Sequence, residues 1–259
     1  MIDPHVERLN YKVIFIETVD FDTAPPIISE KKESFTLNLN GNAAIFEMSK
    51  HFPTVPEAKA VVDDFLKRWE VLIGIESQPD ELKFVFEKAD IIDRRQNATI
   101  APWIPAICGV SSVTGELHLS RPNYPERPDN FSLSPDVETM YVRYKAYKEK
   151  RETLCSMAYM CLTILEASAE RGNKRKSAAK KYRINEKVLA KLGELCSKRG
   201  NKEEARKAPS GQQFQPLTGK EKYWIEEAVK AFIRRAGECA HDPEAGFREI
   251  TMADLPAVS

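Results

Sequence analysis

The chain has 259 residues, 42% apolar and 30% charged, with a formal net charge of zero; that length is long for one domain and comfortable for two. No apolar run approaches the ~20 residues that cross a bilayer, and the first residues carry neither a basic segment nor an apolar core of the kind that directs secretion. The five cysteines (Cys108, Cys155, Cys161, Cys196, Cys239) are odd in number and lack a CxxC pair, so composition argues against a disulfide scaffold and a membrane span. It predicts a cytoplasmic protein with reduced thiols.

In chain order, residues 11–17 are β-branched and aromatic and predict a strand. Phe35, Leu37 and Leu39 alternate with polar residues, run into Asn40-Gly41, and are followed by Ala44, Ile45, Phe46 and Met48. Asn-Gly between two such runs predicts a β-hairpin. Val61, Val62, Phe65, Leu66, Trp69 and Leu72 recur at three and four residues after Pro56, which predicts a helix ending near Gly74. Leu82, Phe84 and Phe86 alternate as a further strand, and residues 99–118 are apolar and β-leaning. Residues 121–135 hold Pro122, Pro125, Pro128 and Pro135 without apolar periodicity, which predicts a linker or draped loop. Ser134-Pro135-Asp136 then opens a helical half. Met140, Tyr144, Tyr147, Leu154, Met157, Ala158, Cys161, Leu162 and Leu165 mark one apolar side of a long helix, straight or kinked, reaching about Ala169 and closed by Gly172-Asn173. Residues 176–196 predict one or two helices with a break at Ile184-Asn185. Residues 200–218 read as a polar loop, 219–240 as a strongly amphipathic helix, and the residues from Asp242 onward as an irregular tail. The expected architecture is an α+β N-terminal domain (1–120), a Pro-rich linker (121–135) and an all-α helical bundle (136–259).

Charge divides in the same way. Residues 1–135 hold 21 acids and 14 bases, while residues 171–207 hold fourteen Lys or Arg against four Glu. So segregated a positive block is the electrostatic footprint of a polyanion partner, nucleic acid first. A solvated, lysine-rich helical face is the alternative. Lys174, Arg175, Lys176, Lys180, Lys181, Arg183, Lys198, Asn201, Arg206 and Lys207 are the candidate nucleic-acid contacts. The acidic N-terminal domain is a candidate surface for a protein partner.

Three constellations could carry more specific chemistry. Arg235 and His241 stand six residues apart, about 600° of helical rotation, so they share a face only if the helix ends between them; Arg234, seven before His241, does share one. An Arg/His pair suits metal-independent RNA cleavage, with His moving a proton and Arg holding phosphate; a cap at a helix C-terminus is the structural alternative. Arg199, Asn201, Arg206 and Lys207 leave a helix end together at Gly200-Asn201, a shape for gripping phosphate or simply a helix stop. Residues 178–192 resemble a helix-turn-helix, with Val188, Leu189 and Leu192 on the second helix, though an ordinary helix pair would look the same. No glycine-rich phosphate loop, HExxH, GxSxG or His/Cys metal spacing is present in the sequence, so no metal or other cofactor is expected.

The helical half resembles HEPN-type helical bundles: a helix around residues 157–166, a middle helix ending in the basic Arg199-Gly200-Asn201 turn, then a final amphipathic helix. The whole chain is similar to bacterial two-domain proteins with a β-rich N-terminal part and a HEPN-like C-terminal part, some of them phage-defence proteins. The resemblance implies a homodimer, with an Arg…His motif from each subunit lining a shared cleft that cuts RNA. It covers about residues 136–241 and rests on layout. Counting from Arg199, the position where the family places His holds Arg206, and the matching spacing, Arg235 to His241, falls later, at the end of the last helix. The expectation is an RNA-directed, HEPN-like antiviral-defence protein with Arg199, Arg235 and His241 as catalytic candidates, active as an endoribonuclease or degenerate. Its rivals are a non-enzymatic interaction or sensor protein with a basic helical domain, and a helix-turn-helix regulator of duplex DNA.

Overall fold

The computed structural model describes residues 3–15, 19–20, 28–95, 98–103, 119–120, 127–169, 173–198 and 216–258. The chain divides into two compact units, Met1–Arg127 and Pro128–Ser259. An antiparallel sheet region carrying one helix therefore precedes a region of five α-helices.

In the first unit, β1 (Pro4–Phe15), β3 (Ile28–Lys31), β4 (Phe35–Asn40), β5 (Ala43–Met48), β6 (Leu82–Asp93) and β7 (Ala98–Trp103) form one sheet in the order β3-β4-β5-β1-β6-β7. Two short strands, β2 (Val19–Asp20) and β8 (Leu119–Ser120), pair in parallel as a separate two-stranded sheet. The expected hairpin is the β4–β5 pair: Asn40 faces Ala43 and Gly41 takes φ 55°, a left-handed conformation that glycine adopts without a Cβ clash. Along β1 the buried residues are Val6, Leu9, Tyr11 and Val13. The change of parity between Val6 and Leu9 follows from an irregularity in the β1–β6 ladder between Val6 and Arg8, because one extra residue turns every later side chain to the other face. Helix α1 (Val55–Glu76) buries Ala58, Val62, Phe65, Leu66, Trp69 and Ile73 in the same core. These lie one turn apart along a single stripe. Phe65 meets Phe35 at 5.5 Å and Trp69 at 5.9 Å, both edge-on, a favoured packing of aromatic rings.

The second unit holds α2 (Pro135–Lys148), α3 (Leu154–Ala167), α4 (Lys174–Tyr182), α5 (Glu186–Lys198), α6 (Gly219–His241) and a 3-10 turn at Met252–Asp254. Helix α3 lies against α2, α4, α5 and α6, as its composition demands: Leu154, Cys155, Met157, Ala158, Cys161, Leu162 and Leu165 are all buried. Ser134, Thr153, Asn173 and Thr218 each accept a backbone N–H at a helix start, and Glu221 completes a capping box on α6. Such caps satisfy donors that a helix leaves without internal partners.

Three expectations change here. The long helix across residues 136–169 is two helices, broken where Lys150 takes φ 60° and Thr153 caps a new start. Asn173 opens α4 instead of closing the helix before it. The second half of the Pro-rich segment is packed rather than a linker: Phe131 is buried, and the backbone N–H of Ser132 donates to the Gly237 carbonyl of α6 at 3.1 Å. Gly237 has no side chain because a Cβ there would stand 2.0 Å from the Phe131 ring. Residues 121–126, the first part of that segment, lie outside the described residues.

Candidate nucleic-acid interface

Helices α4 and α5 each have one apolar side. Ala178 and Tyr182 on α4, and Val188, Leu189, Leu192, Leu195 and Cys196 on α5, are buried. Their other sides carry the positive charge: Lys174, Lys176, Lys180, Lys181, Arg183, Lys187 and Lys198 are exposed. Across residues 173–198 nine basic residues face two acids. Arg175 donates to Glu166 at 2.8 Å, Lys181 to the Ser168 carbonyl at 2.7 Å, and Lys191 lies 3.6 Å from Glu194. Among the described residues no acid lies within ion-pair distance of Lys174, Lys176, Lys180, Arg183, Lys187 or Lys198.

The turn between the two helices is held by the end of the chain. Arg183 is left-handed, φ 50° and ψ 47°, a conformation in which its Cβ crowds the following carbonyl and where glycine is the usual helix terminator. The backbone around it is fastened at several points. The Ile250 N–H donates to the Arg183 carbonyl at 2.9 Å and the Asn185 N–H to the Ile250 carbonyl at 2.8 Å, a parallel bridge between Ile184 and Ile250. Arg235 donates through Nη1 to the carbonyls of Tyr182 and Arg183, each at 3.1 Å. Its Nη2 donates to the Arg248 carbonyl at 3.0 Å, and Nε to Glu238 at 2.9 Å. The residues from Asp242 onward are irregular, as expected, yet docked, and they include a 3-10 turn with a capping box of Thr251 and Asp254.

Two grooves flank this turn. One, of 810 Å³, is bordered by Lys180, Arg183, Asn185, Lys187 and Glu249. The other, of 610 Å³, lies between α4 and residues 243–247 and is bordered by Ser177, Lys180, Lys181, Arg183, Glu244 and Phe247. Lys180 and Arg183 belong to both.

The catalytic candidates fare differently. Arg235 is only 8% exposed, and four of its five N–H donors are committed to the protein's own oxygens. His241 is exposed, with Nδ1 3.4 Å from the Ser132 hydroxyl. Among the described residues no hydrogen bond joins Arg235 to His241, and Arg234 spends its Nε on Glu238 at 3.3 Å. Arg199, Asn201, Arg206 and Lys207 lie outside the described residues. Among the described residues no cluster of three or more His, Cys, Asp or Glu could hold a metal, and no helix is long and apolar enough to cross a membrane.

Sequence reasoning missed Phe247, Glu244 and Glu249, which sit in a segment with no periodicity and are brought to the basic helices by the backbone bridge at Ile250, the Arg235 bond to Arg248 and the Asn185 bond to Glu249. Burial raises the Cys239 thiol above its ordinary pKa, which disfavours the thiolate form. Comparison with protein-family models, with curated proteins and with solved structures finds no match to this chain.

Proposed function

We propose that the second unit binds nucleic acid through the exposed face of α4, the Arg183 turn and α5. The observation that carries this reading is the group of exposed cations, Lys174, Lys176, Lys180, Arg183, Lys187 and Lys198, that meet no acid among the described residues. Isolated positive charges repel one another, and a polyanion relieves that repulsion while releasing its own counterions. The helix–turn–helix layout supports the same reading, since it puts a short basic helix and the start of a second on one surface. RNA is the favoured nucleic acid through the resemblance of the helical half to HEPN proteins. Binding rather than cleavage is the activity favoured, because Arg235 spends its donors on the turn that displays the cations.

Replacing Lys174, Lys176 and Lys187 together by Glu tests this. All three are exposed and their side chains hold nothing in place among the described residues, so the variant should melt with the wild type yet lose at least tenfold in affinity for RNA. Undiminished affinity would reduce the basic face to a solvated surface. Incubation of the wild type with RNA should leave the RNA intact; metal-independent cutting that His241→Ala abolishes would favour the endoribonuclease reading instead.

A further inference from the structure

Within that basic surface one groove is unlike the rest. Between α4 and residues 243–247, in a space of 610 Å³, Lys180, Lys181 and Arg183 share a border with Phe247 and with the hydroxyl-bearing Ser177. A volume of several hundred cubic ångströms suits a small organic ligand. Positive charge and an aromatic ring bordering one space match the two halves of a nucleotide, an anionic phosphate and a flat base. The ring is held in position: the Arg235 guanidinium lies 5.1 Å from its centroid, and that guanidinium is fixed by the carbonyls of Tyr182, Arg183 and Arg248. Gly246 and Ala245, beside Phe247, also border the groove and take little room.

We propose that this groove is a nucleotide site, in which the phosphate lies against Lys180, Lys181 and Arg183 and the base stacks on Phe247. The inference rests on the nucleic-acid reading above and adds the strand type to it. A base reaches an aromatic platform only when it is free of a duplex stack, so the ligand is single-stranded. Glu244 borders the same groove. A carboxylate opposes a phosphate but accepts hydrogen bonds from the amino groups of a base, which orients the nucleotide with its base toward residues 244–247 and its phosphate toward α4. The second groove shares Lys180 and Arg183, and Lys174 and Lys176 extend the charge further along α4. The source is therefore a strand running across the turn, not a free nucleotide.

The test measures the full chain against a labelled single-stranded RNA of roughly twelve nucleotides, the same sequence as a duplex, and adenosine monophosphate. Stacking on an aromatic side chain is worth about 1–3 kcal/mol per base. Phe247→Ala should therefore weaken single-strand binding about five- to hundredfold and leave duplex binding unchanged, while Phe247→Tyr binds both as the wild type does. Ser177→Asp, which sets a carboxylate among the three cations without touching Phe247, should weaken single-strand binding and keep the wild-type melting temperature. It serves as the arbiter should Phe247→Ala melt early. The monophosphate should bind at least a hundredfold more weakly than the strand. Undiminished single-strand binding in both variants, or equal losses on strand and duplex, would overturn the nucleotide site while leaving the basic surface in place. Adenosine monophosphate binding as tightly as the strand would overturn the choice of ligand. If the wild type binds neither strand nor duplex, the surface reading itself fails and this site with it.

Discussion

Arg183 is held in a conformation its side chain disfavours. Left-handed backbone costs a residue with a Cβ about 1–2 kcal/mol relative to the right-handed form, and such strain persists only where surrounding contacts over-determine it. Here the bridge to Ile250 and the two bonds from Arg235 do so. If a turn were all that is needed, glycine would make it without the clash. Arg183→Gly therefore separates stability from function. It should unfold no earlier than the wild type, and up to about 1 kcal/mol later, since relief of the clash is partly offset by the larger backbone entropy glycine brings to the unfolded chain. Thermal melting measures the first effect. Fluorescence anisotropy should show RNA affinity falling about tenfold. Earlier melting together with normal binding would make Arg183 a structural residue alone.

Helix α6 meets residues 128–134 through its backbone as well as its side chains. The Phe131 ring packs on the bare Cα of Gly237, where an added Cβ would lie 2.0–2.6 Å from three ring carbons. Alanine is the better helix former by about 1 kcal/mol, yet overpacking costs about 1–3 kcal/mol where neighbours cannot move. Phe131 is 2% exposed and its neighbour Ser132 is tied to the Gly237 carbonyl, so the clash wins. Gly237→Ala should lower stability by up to about 2 kcal/mol in urea denaturation, whereas a gain would show that Phe131 can shift.

Elements with a strong internal period were legible in the sequence: the β4–β5 hairpin from Asn40-Gly41, α1 and α6 from their apolar stripes, and the α4–α5 break at Ile184-Asn185. The break at Lys150 was not. Lys148, Glu149, Lys150, Arg151 and Glu152 are ordinary helix formers, and only Thr153 hints at a new start. The role of Arg235 was illegible for another reason. Three of its four bonds go to carbonyl oxygens, which every residue has, so no residue pattern marks them in the sequence.

Across the whole molecule the charges nearly cancel, with 39 basic and 39 acidic residues, yet they do not mix. Residues 1–135 carry 21 acids and 14 bases, and residues 171–207 carry fourteen bases and four acids. A chain with no net charge has little long-range attraction for nucleic acid, so binding should be set by local contacts at the α4–α5 surface and respond to salt through them. For a single strand the logarithm of affinity falls with the logarithm of salt concentration by about 0.7 per phosphate neutralised. If roughly four of the seven exposed cations contact phosphate, the slope should be about −3. Titrations between low and physiological salt measure it, and a slope near zero would mean that phosphates are not what the surface holds. The bridge from Ile184 to Ile250 also sets an order of events while the protein is being made. Helices α4 and α5 leave the ribosome before the segment around Ile250 that fastens the turn between them, and domains take shape from the N-terminal side first. Until Ile250 has emerged, the left-handed Arg183 lacks one of its two braces, so a growing chain has its lysines before it has the fully fastened corner.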